Sequence, residues 1–106
     1  MIFFGNHENL IIFVNKFIKT ISQSTDMKNI LIIGATGQIG SELTMELRKR
    51  YGNDHVVAGY IHGSEPKGEL KESGPSEVVD VTDGEMIAAA VKKYRIDTIY
   101  NLAALL

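Results

Sequence analysis

Residues 29 to 43, NILIIGATGQIGSEL, join four consecutive large apolar residues to three glycines, Gly34, Gly37 and Gly40. An unbroken apolar run closed by glycine suits a strand buried on both faces, which is how strands of a parallel sheet lie. The pattern then turns helical. Ile39, Leu43 and Leu47 recur at four-residue spacing and predict a helix from about Gln38 to Tyr51 with one apolar face. Arg48, Lys49 and Arg50 fall in its last turn, where cations suit the negative end of the helix dipole. Gly52 supplies the stop. A strand buried on both faces needs cover on both, so this segment commits the chain to a layered α/β architecture.

The remaining sequence repeats the alternation. HVVAGYI, residues 55–61, reads as a second strand. Residues 62–77, HGSEPKGELKESGPSE, contain both prolines of the chain among glycines and charges, and predict a surface loop with one short helical turn. EVVDV, residues 77–81, is a third strand. Thr82 opens a helix, with Glu85 completing a capping box. Met86, Ile87, Ala90, Val91 and Tyr94 form its apolar face, and Lys92, Lys93 and Arg95 close it. IDTIYNLAA, residues 96–104, is a fourth strand. The expected fold class is α/β, a partial Rossmann fold whose parallel sheet has strand order 3-2-1-4. The expectation is that the fold is truncated after the fourth strand, leaving an open apolar edge there, which is an aggregation hazard.

With 106 residues the chain holds one small domain. A formal charge of -2 argues against nucleic acid or an anionic membrane as partner. There is no cysteine, so disulfides and thiolate metal sites are excluded. His7, His55 and His62 form no ligand-spaced cluster. No apolar run approaches the ~20 residues of a membrane helix. Residues 1–26 lack the basic start and long apolar core of a secretory signal, and they contain no arginine, unlike a transit peptide. Leu10, Val14, Phe17 and Ile21 recur at near-helical spacing. Two readings of this segment stay open: a poorly packed extension, or translated upstream sequence ahead of a true start at Met27. Residues 27–106 then form the dinucleotide-binding part.

That binding is read from the glycine loop. GATGQIG follows a strand and opens a helix, the context in which such a loop cradles a phosphate. The helix N-terminus offers unpaired N–H groups and a partial positive charge. Gly34 permits a tight exit from the strand, Gly37 a close approach of the backbone to a pyrophosphate, and Gly40 close packing of the helix on the sheet. Thr36 and Gln38 stand where side-chain hydrogen bonds near the phosphates would form.

The spacing G-x-x-G-x-x-G, in ILIIGATGQIG, resembles the extended branch of the short-chain dehydrogenase/reductase superfamily, which comprises NAD-dependent epimerases, dehydratases and dehydrogenases. GQIGSEL with LRKRYGNDHVVA, GPSEVVDVTD and IDTIYNLAALL are similar to the short-chain type L-threonine 3-dehydrogenase family, over residues 28 to 106. The resemblance implies an NAD cofactor and oxidation of L-threonine to 2-amino-3-oxobutanoate. It implies a cytoplasmic protein whose full-length relatives are homodimers and take the small-molecule substrate. The glycine loop, through Gly34, Thr36, Gly37, Gln38, Ile39 and Gly40, would hold the pyrophosphate. Asp80 and Val81 would flank the adenine, and Leu102, Ala103 and Ala104 would line the path to the nicotinamide ribose. Spacing alone equally allows Asp80 as a turn residue and Leu102 to Ala104 as core.

Two departures accompany the likeness. The family carries an acid at the end of the second strand for the ribose hydroxyls, and here that position is Tyr60. A tyrosine cannot grip a diol bidentately as a carboxylate does. Nearby His62 and Lys67 offer weak compensation, and no arginine stands beside them for an additional phosphate. The family also uses a Tyr-x-x-x-Lys pair in general base catalysis during hydride transfer. Here Tyr51, Tyr60, Tyr94 and Tyr100 are followed four residues on by His55, Ser64, Thr98 and Ala104. The chain alone is therefore expected to be inactive on L-threonine. Other readings are a sugar-nucleotide epimerase or dehydratase fragment, a non-catalytic dinucleotide-binding protein, and a broken reading frame without function.

Overall fold

The computed structural model describes residues 29–103. The expectations for residues 1–26, for Met27 and for Ala104 lie outside the described residues.

Strand β1 (Ile30–Ile33) leads into helix α1 (Gln38–Tyr51), a 3-10 turn (Asn53–His55) and strand β2 (Val56–Tyr60). A short helix α2 (Gly68–Glu72), strand β3 (Ser76–Val78), helix α3 (Gly84–Tyr94) and strand β4 (Thr98–Asn101) follow. The four strands form one parallel sheet in the order β3-β2-β1-β4, a partial Rossmann-like fold. Ile30 pairs with Val56 on one side and with Thr98 on the other.

This order explains how β1 becomes buried on both faces. The chain steps one way from β1 to β2 and the opposite way from β3 to β4. Crossovers of one hand taken in opposite directions place their helices on opposite faces of the sheet. Alternate residues of β1 accordingly enter two cores. Ile30 and Ile32 pack with Ile39, Leu43 and Leu47 of α1, and with Leu70 of α2. Leu31 and Ile33 pack with Val57, Val79 and Ala90 of α3, with Ile87 and Tyr94 at the margin.

Three local expectations need correction. Arg48 does lie in the last turn of α1, but its main role is not at the helix dipole: it is 1% exposed. Its guanidinium donates to the carbonyls of Val56 (3.1 Å), Leu70 (2.7 Å) and Pro75 (2.7 Å), and to Ser73 Oγ (3.0 Å). Burial draws its pKa below the usual arginine value, but a guanidinium stays charged in proteins. Gly74 makes room for it, because a Cβ there would lie 2.7 Å from Arg48 Nε and 2.6 Å from the Asn53 carbonyl oxygen. Only Lys49 and Arg50 remain exposed for the dipole.

The second correction concerns α3. Its N-cap is Asp83, not Thr82. The Asp83 carboxylate accepts from the N–H groups of Glu85 and Met86, both at 3.1 Å. Thr82 is otherwise engaged: its hydroxyl donates to Asp80 Oδ1 at 2.7 Å. The third concerns strand lengths. β3 and β4 are shorter than the apolar runs that announced them: after Val78 and Asn101 only a single further main-chain bond, from Val79 and from Leu102, reaches the neighbouring strand before the chain turns. Expected features that hold include α1, which spans Gln38 to Tyr51, with Gly52 (φ +102°) ending it by an N–H bond to the Arg48 carbonyl.

Candidate dinucleotide site

The C-terminal ends of the strands are tied together by main-chain bonds beyond the ladders. Gly34 and Ala35 both donate to the Gly59 carbonyl, at 3.2 and 3.0 Å. Leu102 N–H donates to the Ile33 carbonyl and Val79 N–H to the Tyr60 carbonyl, each at 2.8 Å. The result is a crevice across the strand ends where the strand order reverses, the place at which open parallel sheets bind ligands.

The glycine loop is shaped by backbone contact. Gly34 has φ +83°, a conformation that side chains resist. A Cβ there would also lie 2.9 Å from the Ala103 nitrogen. A Cβ on Gly40 would overlap the Gly34 carbonyl oxygen. Gly37, in contrast, has an ordinary extended conformation and serves as the N-cap of α1. No side chain caps that helix and no acid occupies its first turn. The N–H groups of Gln38, Ile39 and Gly40 therefore open α1 without a side-chain acceptor, and the positive end of its dipole is not neutralised locally.

Two cavities flank the loop and share Thr36 and Ser64. The larger, about 560 Å³, is enclosed by Gly34, Tyr60, Val79, Asp80, Val81 and Ala103 among others. Its walls are mostly apolar. Ile61 (52% exposed) and Val81 (38%) are two of the three exposed large hydrophobic residues among those described, and both lie here. The second, about 510 Å³, runs along Thr36, Gly37 and Ser41 on one side and Ser64, Glu65 and Lys67 on the other.

The crevice thus brings together Gly34, Thr36, Asp80, Val81 and Ala103, with Gly37 in the adjoining cleft. Gln38 is exposed. Ile39 points into the α1 core, which leaves its N–H for any ligand. Gly40 is buried against the loop, and Leu102 packs beside the α1 core. Asp80 proves to be a turn residue: its Oδ1 accepts from the Thr82 hydroxyl and, at 2.9 Å, from the Thr82 N–H. These two bonds, the hydroxyl one foremost, hold its pKa below the usual carboxylate value. Ser41, Ser64 and Glu65 join the site without any motif spacing to announce them. Gly59 is likewise silent in the sequence, yet a Cβ there would lie 2.9 Å from the Ile32 carbonyl oxygen. Among the described residues no cluster of three His, Asp or Glu offers a metal site. No helix among them is long and apolar enough to cross a membrane.

An open parallel sheet with a glycine loop between its central strand and first helix defines a nucleotide-binding α/β protein. The comparisons with known proteins narrow the class. Residues 30–106 match the model of the NAD dependent epimerase/dehydratase family, and the chain belongs to that family. An uncharacterized epimerase/dehydratase of Staphylococcus epidermidis is 45% identical over 80 residues, which is 76% of this chain and 25% of that protein. The structure of L-threonine dehydrogenase from Clostridium difficile is 47% identical with a TM-score of 0.61, covering 71% of this chain and 23% of that one. The holo form of a GalE-like L-threonine dehydrogenase from Cupriavidus necator is 36% identical with a TM-score of 0.62, over 70% of this chain and 23% of that one. The chain thus spans about a quarter of the length of the relatives it matches.

Proposed function

We propose that residues 27–106 are the NAD-binding part of an oxidoreductase acting on L-threonine. The observation that carries this reading is the uncapped N-terminus of α1 opening beside two clefts lined by Gly34, Thr36 and Gly37. A dianionic pyrophosphate fits there because backbone donors and the helix dipole both favour it. In this reading the loop from Gly34 to Gly40 takes the pyrophosphate through its N–H groups. The larger cavity takes the adenine between Val81 and Tyr60. Asp80 shapes its wall through the turn with Thr82. Leu102 and Ala103 lead toward the nicotinamide ribose. When bound, NAD supplies the hydride acceptor. This chain's own residues bind and orient it.

The choice of L-threonine over a sugar nucleotide rests on the two threonine dehydrogenases above, at 47% and 36% identity. The test is calorimetry of the 106-residue chain with NAD, followed by an assay with NAD and L-threonine. Saturable binding without NADH formation is expected, since no tyrosine here is followed four residues on by lysine. Absence of any NAD binding would overturn the cofactor assignment. NADH production by the chain alone would overturn the view that it lacks the catalytic groups.

A further inference from the structure

Tyr60 ends β2 where dinucleotide sites of this type carry an acid for the adenosine ribose. The tyrosine lines the larger cavity, and it leaves the diol without a carboxylate from the strand itself. Two other carboxylates reach the clefts. Asp80 stands at the exit of β3, and one of its oxygens already serves both donors of Thr82. Glu65 leaves β2 by a tight turn instead. Ser64 N–H donates to the Ile61 carbonyl at 3.0 Å, and Gly63 takes φ +94°. This reversal returns residue 65 to the second cleft, which it shares with Thr36 and Gly37 of the glycine loop.

Resting on the dinucleotide reading above, we infer that Glu65 replaces the missing strand acid and accepts the ribose hydroxyls of NAD. The side chain is already posed, because its Oε1 accepts from the Gly63 N–H at 2.9 Å. A carboxylate has about four acceptor sites, so one such bond leaves the others for a diol. The Gly63 bond, the residue's own N–H and the nearby His62 and Lys67 all favour the ionised form. A charged acceptor at this place also selects the cofactor. It binds a free 2′-hydroxyl and repels a 2′-phosphate, so the site takes NAD in preference to NADP.

The test uses the full chain and calorimetry with NAD and with NADP. Glu65→Gln is expected to weaken NAD about 10- to 150-fold, the worth of one charge-assisted bond, and to narrow the preference over NADP. Glu72→Gln removes the same charge from exposed α2, outside both clefts, and is expected to change neither affinity. Glu65→Gln binding NAD within about twofold of the wild type would overturn the assignment, as would an equal loss in Glu72→Gln, which reports bulk charge. A wild-type chain that binds neither dinucleotide overturns the underlying cofactor reading instead. Circular dichroism on Glu65→Gln is expected to match the wild type, because the residue is exposed and takes no part in either core.

Discussion

Gly34 and Ala103 meet backbone to backbone: a side chain on Gly34 would lie 2.9 Å from the Ala103 nitrogen. The contact joins the exit of β1 to the exit of β4 and closes the crevice from below. Gly34 is held there at φ +83°. Gly34→Ala therefore meets both an unfavourable backbone conformation and a clash. It is expected to destabilise the fold by about 2–5 kcal/mol, from a left-handed cost of about 1–2 and an overpacking cost of about 1–3. A urea melt checks this, and a variant as stable as the wild type would show that the two strand ends can separate freely.

Arg48 is the anchor of the opposite flank. Arg48→Met would leave the carbonyls of Val56, Leu70 and Pro75 without this donor. The Pro75 carbonyl still accepts from the Ala58 N–H, whereas Val56 and Leu70 lose a buried donor at about 1–3 kcal/mol each, so a loss of at least about 2 kcal/mol is expected. Arg48→Lys is expected to recover little of it, because one ammonium cannot span the directions that a planar guanidinium serves. Thermal unfolding of both variants decides this. Full recovery by lysine would mean that charge alone matters.

Asp83 and Thr82 separate two roles that adjoin in sequence. Asp83→Ala removes the cap of α3 and is expected to cost about 1 kcal/mol. Thr82→Ala leaves that cap intact and is expected to affect the helix far less. Equal losses in denaturant melts would return the capping role to Thr82.

The Asp80–Thr82 turn predicts a pH effect. The Thr82 hydroxyl and N–H hold the Asp80 pKa down in the folded state. A depressed acid contributes stability above its unfolded value, about 3.9, and loses it as pH falls through the lower folded value. Thr82→Val deletes the hydroxyl bond and is expected to move the Asp80 pKa back toward the ordinary value. Carboxyl carbon chemical shifts followed through an acid titration measure this directly. An unmoved Asp80 would show that the N–H bond is sufficient.

Much of this architecture was legible because it depends on neighbours in sequence. The apolar run Ile30–Ile33, the four-residue spacing of Ile39, Leu43 and Leu47, and Gly52 after them are local signals. They placed β1 and α1 and, with the alternation that follows, the strand order. The glycine loop was legible for the same reason: its place between strand and helix fixes where its N–H groups point. Arg48 was not, since its partners lie 22 to 27 residues farther along the chain in Leu70, Ser73 and Pro75. In isolation a basic residue at a helix end looks solvated. Burial becomes favourable only when distant carbonyls converge to replace its water. Thr82 was expected to cap α3, and its bond to Asp80 leaves that role to Asp83. The same holds for Glu65. Its sequence position carries no motif, and its place beside the glycine loop follows from the turn at Gly63, which brings separate segments to one cleft.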